Sequence, residues 1–523
     1  MTRIMLTLVA AAIASSAAIW HVPEDVSTIQ AALDTLASGD TVLVQPRIYA
    51  EALQAPPRAF VILGITDSTE TPSQPVIDPS SLDGSRSLAC LTLPPESDAR
   101  IEHVTFRNGP AMFPRWPAAA IGGIANQSEA LCLRDCLFDS TYKGVFGTLE
   151  TSGTLDVIGC EFWRNGETCI TKHSTSPTTI DSCWFSATHT VLALYGNATI
   201  GHTIFAESMD GQWLWLLGDG NVVHDCRFGP TTAPAYSVIW TSESVGCIFE
   251  NNVFEGIEAT GTVILFDTAP GTPSQFIGNT FRNCHGLATG MAGSGIYVYC
   301  QIGSADVQID DCTFDSCGTW SDMAWSTVEM YHAVVSMEAD SFRGHDALAF
   351  AVHNFDSHGS TMNSCSFSNT VNALKAESIE PETMNAEFNW WGDNSGPHHA
   401  QFNPQGLGDV IVGPVDFEPW LLDTTDTAPR ARTPLPDRPQ IVAYPNPFNA
   451  MASLVLVVDQ PGVYDVELYN TLGQRTLHVW SGAIAHEKQI SLNASVLPSG
   501  VYFVRASRQG GDHIALSKIV LLK

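Results

Sequence analysis

The sequence predicts an all-β chain: a long solenoid of stacked short strands followed by a small C-terminal β-sandwich. Three observations carry this. Phenylalanine recurs at positions 106, 138, 162, 185, 205, 228, 254, 281, 314, 342, 367 and 388, a mean spacing of about 26 residues. A period of this length without helical phase marks stacked supersecondary units. Two residues before these rings stand Cys136, Cys160, Cys183, Thr203, Cys226, Asn252, Asn279, Cys312, Asp340 and Cys365, so one structural phase repeats with them. Finally, residues 1–421 hold 15 basic and 47 acidic groups, whereas residues 439–523 hold 6 and 5. Two kinds of module share the chain.

Met1 to Ala18 reads as a secretory signal. Arg3 is its positive start, Ile4 to Ala14 its short apolar core, and Ser16-Ala17-Ala18 supplies small residues for cleavage. No later apolar run approaches the roughly 18 residues of a membrane span. The 523 residues carry 24 Lys and Arg against 55 Asp and Glu, a formal charge of −31. That balance argues against nucleic acid as a partner, because phosphates need clustered cations. The body is expected over 19–421.

Within the body, like residues on successive coils fall in ladders about 4.8 Å apart. The phenylalanines are expected to stack inside, and the residues two before them to occupy a tight turn. Six of the thirteen cysteines share that phase. An odd number excludes full intramolecular pairing. Cys132…Cys136 and Cys312…Cys317 lack the second pair of a zinc site. Buried free thiols acting as small hydrophobes are the expectation, with no metal site.

Val22-Pro23, Ser27 to Ala32, Gly39 to Val44, Pro46 and Tyr49-Ala50-Glu51 precede the repeats. Asn389-Trp390-Trp391-Gly392, Gly396-Pro397, Gly406 to Asp409 and Phe417 to Leu421 follow them. With the repeats between, the body resembles a right-handed parallel β-helix of the pectate-lyase-like group. The resemblance implies an N-terminal capping helix, for which Ser27 and Gln30 have capping-box spacing, and a segment closing the far end. Such folds host lyases, hydrolases, epimerases and adhesins, so the fold does not choose a function.

Residues 422–438 are rich in Thr and Pro and read as a linker. After them, Ser453–Val458, Val463–Tyr469, Ile490 with Leu492, Val501–Val504 and Ile519–Leu522 read as strands between Gly, Pro and Asn turns. Tyr444-Pro445-Asn446-Pro447-Phe448-Asn449, Leu468 to Gln474, Leu497 to Tyr502 and Lys518-Ile519-Val520 stand in order. They make 439–523 similar to the type A C-terminal sorting domain of the type IX secretion system. That resemblance implies export through this machinery and a secreted or outer-membrane-surface destination.

Chemistry is harder to place. A lyase of the resembled group needs a basic residue beside the acidic sugar, often with calcium. Residues 1–421 contain only Lys143, Lys172 and Lys375 as lysines, and no basic ladder. A polyanion would meet a strongly negative surface. Calcium is therefore allowed as a cofactor by the resemblance and required by nothing in the sequence. A glycosidase needs two carboxylates about 5–10 Å apart. Asp310 and Asp311, with His358 two coils on, are the catalytic candidates, but Asp311 shares its phase with Asp135 and Asp225, as a structural turn would. His398-His399 is a candidate metal pair or a solvated cap loop.

A different stripe is more suggestive. Counting back ten to fifteen residues from each ladder Phe meets Lys172, Tyr195, Trp215, Trp240, Phe266, Tyr299, His353 and Lys375. Alternation in Gln212 to Leu216 puts Trp213 and Trp215 on the face opposite Leu214 and Leu216. Sugars stack on exposed rings through their C–H faces. Trp213, Trp215, Trp240, Tyr299, Lys172 and Lys375 are thus expected to line a glycan-binding face of a monomeric surface protein. A structural or adhesive protein without catalysis and a polysaccharide lyase or glycoside hydrolase are the rivals.

Overall fold

The computed structural model describes residues 17–82, 89–107, 123–141, 143–147, 153–165, 168–186, 190–206, 212–231, 234–287, 293–300, 305–319, 326–345, 350–379, 382–423, 439–449, 451–458, 462–470, 473–484, 487–494, 497–508 and 514–522. Most of the signal segment and of the linker thus lie outside the described residues.

The body is a right-handed parallel β-helix whose coils each contribute a strand to three parallel sheets. The first sheet runs from Ile19–Val22 to Val415–Asp416 through 16 described strands. The second runs from Ile48–Tyr49 to Ser366–Ser368 through 13. The third begins at Leu53–Gln54 and reaches Gly408–Val412. One coil shows the plan: Ile248–Glu250 in the first sheet, Val253–Glu255 in the second, Glu258–Thr268 in the third.

Two ladders hold the coils in register. Phe106, Phe138, Phe162, Phe185, Phe205, Phe228, Phe254, Phe281, Phe314, Phe342 and Phe367 are all at most 1% exposed. Their neighbouring rings stack with centroids 4.6 to 5.2 Å apart. Each such contact adds about 0.5–1.5 kcal/mol beyond area burial. The stack does not end on Phe388, which is 48% exposed. Trp391 takes its place, 5.0 Å from Phe367 and within 6° of parallel.

The second ladder lies in the corner between the first and second sheets. The turn there has two residues. The first adopts a left-handed conformation at Asp135, Ser182, His202, Asp225, Asn251, Asp311 and Ser364, and the second points inward. Side chains of the inward ladder accept hydrogen bonds from the backbone of the preceding coil: Asn252 Oδ1 from Cys226 N, Asn279 Oδ1 from Asn252 N, Asp340 Oδ1 from Cys312 N and Asn389 Oδ1 from Cys365 N. Cysteine fits the same place because a small apolar side chain tolerates it with a weak S–H donor. All thirteen cysteines are free, and only Cys132 is not buried.

The N-terminal end is covered by the helix Ile29–Thr35, which buries Ile29, Ala32 and Leu33. Its cap is Thr28 rather than Ser27: Thr28 Oγ1 accepts from Ala31 N at 3.1 Å. Glu51 completes the helix start, its two oxygens accepting from Ile29 N and Gln30 N. Gln30 reaches Asp34 and Gln54 instead of closing a capping box. At the other end His399 is buried, with Nδ1 accepting from Gln401 N and Phe402 N and Nε2 beside Gly413 O. That ring is a structural element of the closing segment.

The tail forms one seven-stranded, mostly antiparallel sheet with its own core of Leu454, Leu456, Tyr464, Val466, Leu468, Val504 and Ile519. Two of its strands, Gln440–Asn449 and Arg475–Ile484, go beyond those read from the sequence.

Candidate functional site

The third sheet presents its outer face as two columns of side chains. Strand register, not distance from the ladder Phe, decides who belongs to each. The first column reads Thr171, Ala193, Trp215, Trp240, Leu265, Tyr297, Glu329, His353, Lys375. The second includes Tyr195, Leu217, Asp267, Tyr299, Tyr331, Phe355 and Glu377. The columns alternate with an inward row of Ile170, Leu192, Leu214, Ile239, Ile264, Ile296, Val328, Val352 and Leu374, all buried. This is the period of two that a half-buried strand requires.

Trp215 and Trp240 stack with centroids 5.4 Å apart and parallel planes, and both are partly exposed. Further along, Tyr297 and Tyr299 lie 6.2 Å apart, Tyr299 and Tyr331 5.5 Å, and Tyr331 and Phe355 5.1 Å. Beside these rings sits a charged group of four. Glu329 Oε1 is 2.7 Å from His353 Nδ1, Glu377 Oε2 is 3.2 Å from His353 Nε2, and Lys375 Nζ is 2.8 Å from Glu377 Oε1. Ser326 N donates to the other oxygen of Glu329. The ammonium of Lys375 beside Glu377 holds that carboxyl below its ordinary range. Burial, with Glu329 nearby, pushes the Tyr297 phenol up, so it stays a neutral donor.

Three residues expected on this face are elsewhere. Trp213 is fully buried, with its ring 6.4 Å from Phe228 of the stack. Lys172 belongs to the inward column of Leu194 and Leu216 and is 3% exposed. Its ammonium donates to Ser176 O, Pro177 O and Thr178 Oγ1. Desolvation lowers its pKa to about 8. Phe266 also points inward, edge-on to Phe249 and Phe276. Trp215, Trp240 and Lys375 share one outer column, and Tyr299 stands in the other.

The catalytic candidates do not converge. Asp310 ends a strand of the first sheet and Asp311 is the left-handed residue of the turn to the second. His358 lies at the opposite edge of the first sheet, between Asp356 Oδ1 at 3.1 Å and Glu382. Its hydrogen bond to Glu382 raises its pKa. Glu329, Tyr331, Phe355 and Glu377 were passed over in the sequence because counting back from the ladder Phe crosses loops of varying length. The alternation in Val328-Glu329-Met330-Tyr331 and Val352-His353-Asn354-Phe355 is the signal that finds them.

Residues 143–299 match the right handed beta helix region family. Residues 442–521 match the secretion system C-terminal sorting domain. With that sorting domain the protein is a secreted or cell-surface protein handled by type IX secretion. No helix among the described residues is long and apolar enough to cross a membrane. No curated protein matches the chain. Among solved structures, the chain is similar to the catalytic unit of a thermostable GH87 alpha-1,3-glucanase from Streptomyces thermodiastaticus strain HF3-3. The identity is 12% and the TM-score 0.38, over 79% of this chain and 71% of that one. So distant a likeness says nothing about activity here.

Proposed function

We propose that this right-handed β-helix, delivered to the surface by its sorting tail, binds extracellular polysaccharide along the outer face of its third sheet. The Trp215–Trp240 stack carries the reading. It is continuous on one sheet with Tyr297, Tyr299, Tyr331 and Phe355, and it leads to Glu329, His353, Glu377 and Lys375. Rings offer faces to sugar C–H groups, and the accessible His353, Glu377 and Lys375 offer donors and acceptors to hydroxyls, while the buried Glu329 holds His353 in place. A chain of net charge −31 favours a neutral glycan over a uronate polymer. Glu329 and Glu377 both engage His353 rather than facing each other across a gap, an arrangement suited to binding more than to hydrolysis.

The test is a panel of neutral and uronate polysaccharides with the full chain and with the Trp215→Ala/Trp240→Ala variant. Binding to a neutral polymer that the double variant loses supports the reading. A blank panel, or binding the variant retains, favours a structural or adhesive protein.

A further inference from the structure

A second cluster lies away from the aromatic face, in the corner between the first and second sheets. There each coil offers a strand-end position and a left-handed turn position. On three successive coils these are Asp181 and Ser182, Gly201 and His202, His224 and Asp225. His202 Nδ1 lies 2.8 Å from Asp181 Oδ1, and His224 Nδ1 lies 2.9 Å from Asp225 Oδ2. The rings meet edge to face with centroids 5.3 Å apart. A nitrogen of each imidazole and a carboxylate oxygen of Asp225 fall within 4.8 Å of one another.

Gly201 gives this cluster its room. A Cβ there would lie 2.6 Å from both Cε1 and Nε2 of His224 and 3.0 Å from Asp181 Oδ1. The glycine has no left-handed backbone to explain it. What it allows is the close approach of the His224 ring, with Asp181 Oδ1 alongside. Imidazoles at metal sites commonly give their second nitrogen to a carboxylate, which fixes ring orientation and raises basicity. Here His202 has such a partner in Asp181, and Asp225 stands against His224 as the third candidate donor. Among the described coils, imidazoles occupy neighbouring coils of this corner only at His202 and His224.

We propose that His202, His224 and Asp225 form a site for a first-row divalent cation of the zinc type, with Asp181 positioning His202 and a fourth place left to water. Nitrogen and oxygen donors of this kind suit Zn²⁺, Cu²⁺ and Ni²⁺ rather than calcium, which takes six to eight oxygens. Asp181 and Glu250, the register neighbour of His224 on the next coil, place two further carboxyl groups beside the three donors. The ion would bridge two coils at a point the glycan face does not include.

The experiment is calorimetric titration of the full, untagged chain with Zn²⁺ at neutral pH, with Co²⁺ absorption as a second readout. One ion per chain is expected. His202→Ala, an exposed change that leaves the fold alone, removes the site, and so does His224→Gln. Asp181→Asn weakens it about 10–100-fold. Gly201→Ala removes no donor yet abolishes binding by pushing the His224 ring out of place. Trp215→Ala/Trp240→Ala binds the ion like the unaltered chain, so this site and the glycan face fail independently. Absence of saturable binding, or binding that His202→Ala and Gly201→Ala leave intact, overturns the assignment.

Discussion

Trp215 and Trp240 occupy the same position on adjacent coils, with parallel rings whose centroids are 5.4 Å apart. Because the coils themselves are about 4.8 Å apart, the two rings cover one face of each other. The free face of Trp215 looks over Ala193 and Thr171, the small residues that precede it in the column. The free face of Trp240 looks over Leu265. The pair is therefore a wall with a shallow floor on one side.

The floor makes a prediction that removes no ring. Ala193→Leu fills the space beside Trp215 and should weaken binding of a neutral glycan at least about tenfold, a cost of about 1.4 kcal/mol. Leu265→Ala, on the other side, should leave binding within about threefold if the sugar sits over Ala193. Affinities of the two variants on the same polymer decide it. Equal losses would mean that neither ring face is used selectively.

Asp340 stands in the corner ladder where Asn252, Asn279 and Asn389 stand on other coils. It is fully buried and accepts from Cys312 N at 2.7 Å. Burial pushes its carboxyl well above the ordinary range, so the folded protein keeps the proton that the unfolded chain releases above about pH 4. The folded state then binds more protons, and stability falls as pH rises from about 4 toward the raised pKa. Asp340→Asn removes that loss and supplies the amide donor the other ladder positions use. It should be equally stable near pH 4 and more stable than the natural protein at pH 7. Melting temperatures of both proteins across this range check the sign. A variant less stable at pH 7 would show that Asp340 is ionised and paired.

The cysteines predict a contrast between native and denatured protein. Twelve of thirteen are buried, and burial raises Cys183 and Cys247 to about 12. The thiolate is the reactive form. A thiol reagent should therefore find about one reactive group in the native chain, Cys132, and most of the thirteen in unreduced, denatured protein. Few free thiols after denaturation would mean that coils are cross-linked.

What was legible in the sequence was what repeats inward. The Phe ladder and the Cys/Asn phase recur because the interior has one shape on every coil. The outer face has no such constraint, and loops of different length shift any fixed offset. Tyr299 was thus placed in line with Trp215 and Trp240, whereas Tyr297 holds that column. Lys172 shows a different failure. Ile170 faces inward, so alternation alone places Lys172 inward as well. The offset counted from the ladder Phe ignores that alternation. Phe388 failed at the solenoid's end, where the turn takes a positive φ and Trp391 completes the stack.

Lys172 offers the last prediction. Its Nζ lies 2.7 Å from Ser176 O, 3.0 Å from Pro177 O and 2.9 Å from Thr178 Oγ1. It thereby ties down the turn that leads to the strand Thr178–Asp181. Lys172→Met keeps the aliphatic stem but leaves those oxygens without their donor, a cost of about 1–3 kcal/mol at neutral pH. The pH dependence separates this role from simple packing. Desolvation lowers the folded pKa to about 8, against about 10.4 for the unfolded chain. Between these values the unfolded chain holds the extra proton, so the lysine's contribution to stability rises with pH there. Below about 8 both states are protonated and the contribution is flat. The stability difference between the natural protein and Lys172→Met should therefore be constant from pH 6 to 8 and shift in favour of the natural protein from 8 to 10. Chemical denaturation at each pH measures it, and the difference between the two proteins cancels the titration of other groups. A difference that stays flat through pH 10 would mean that the ammonium is hydrated in place and that its hydrogen bonds, not its burial, set its energy.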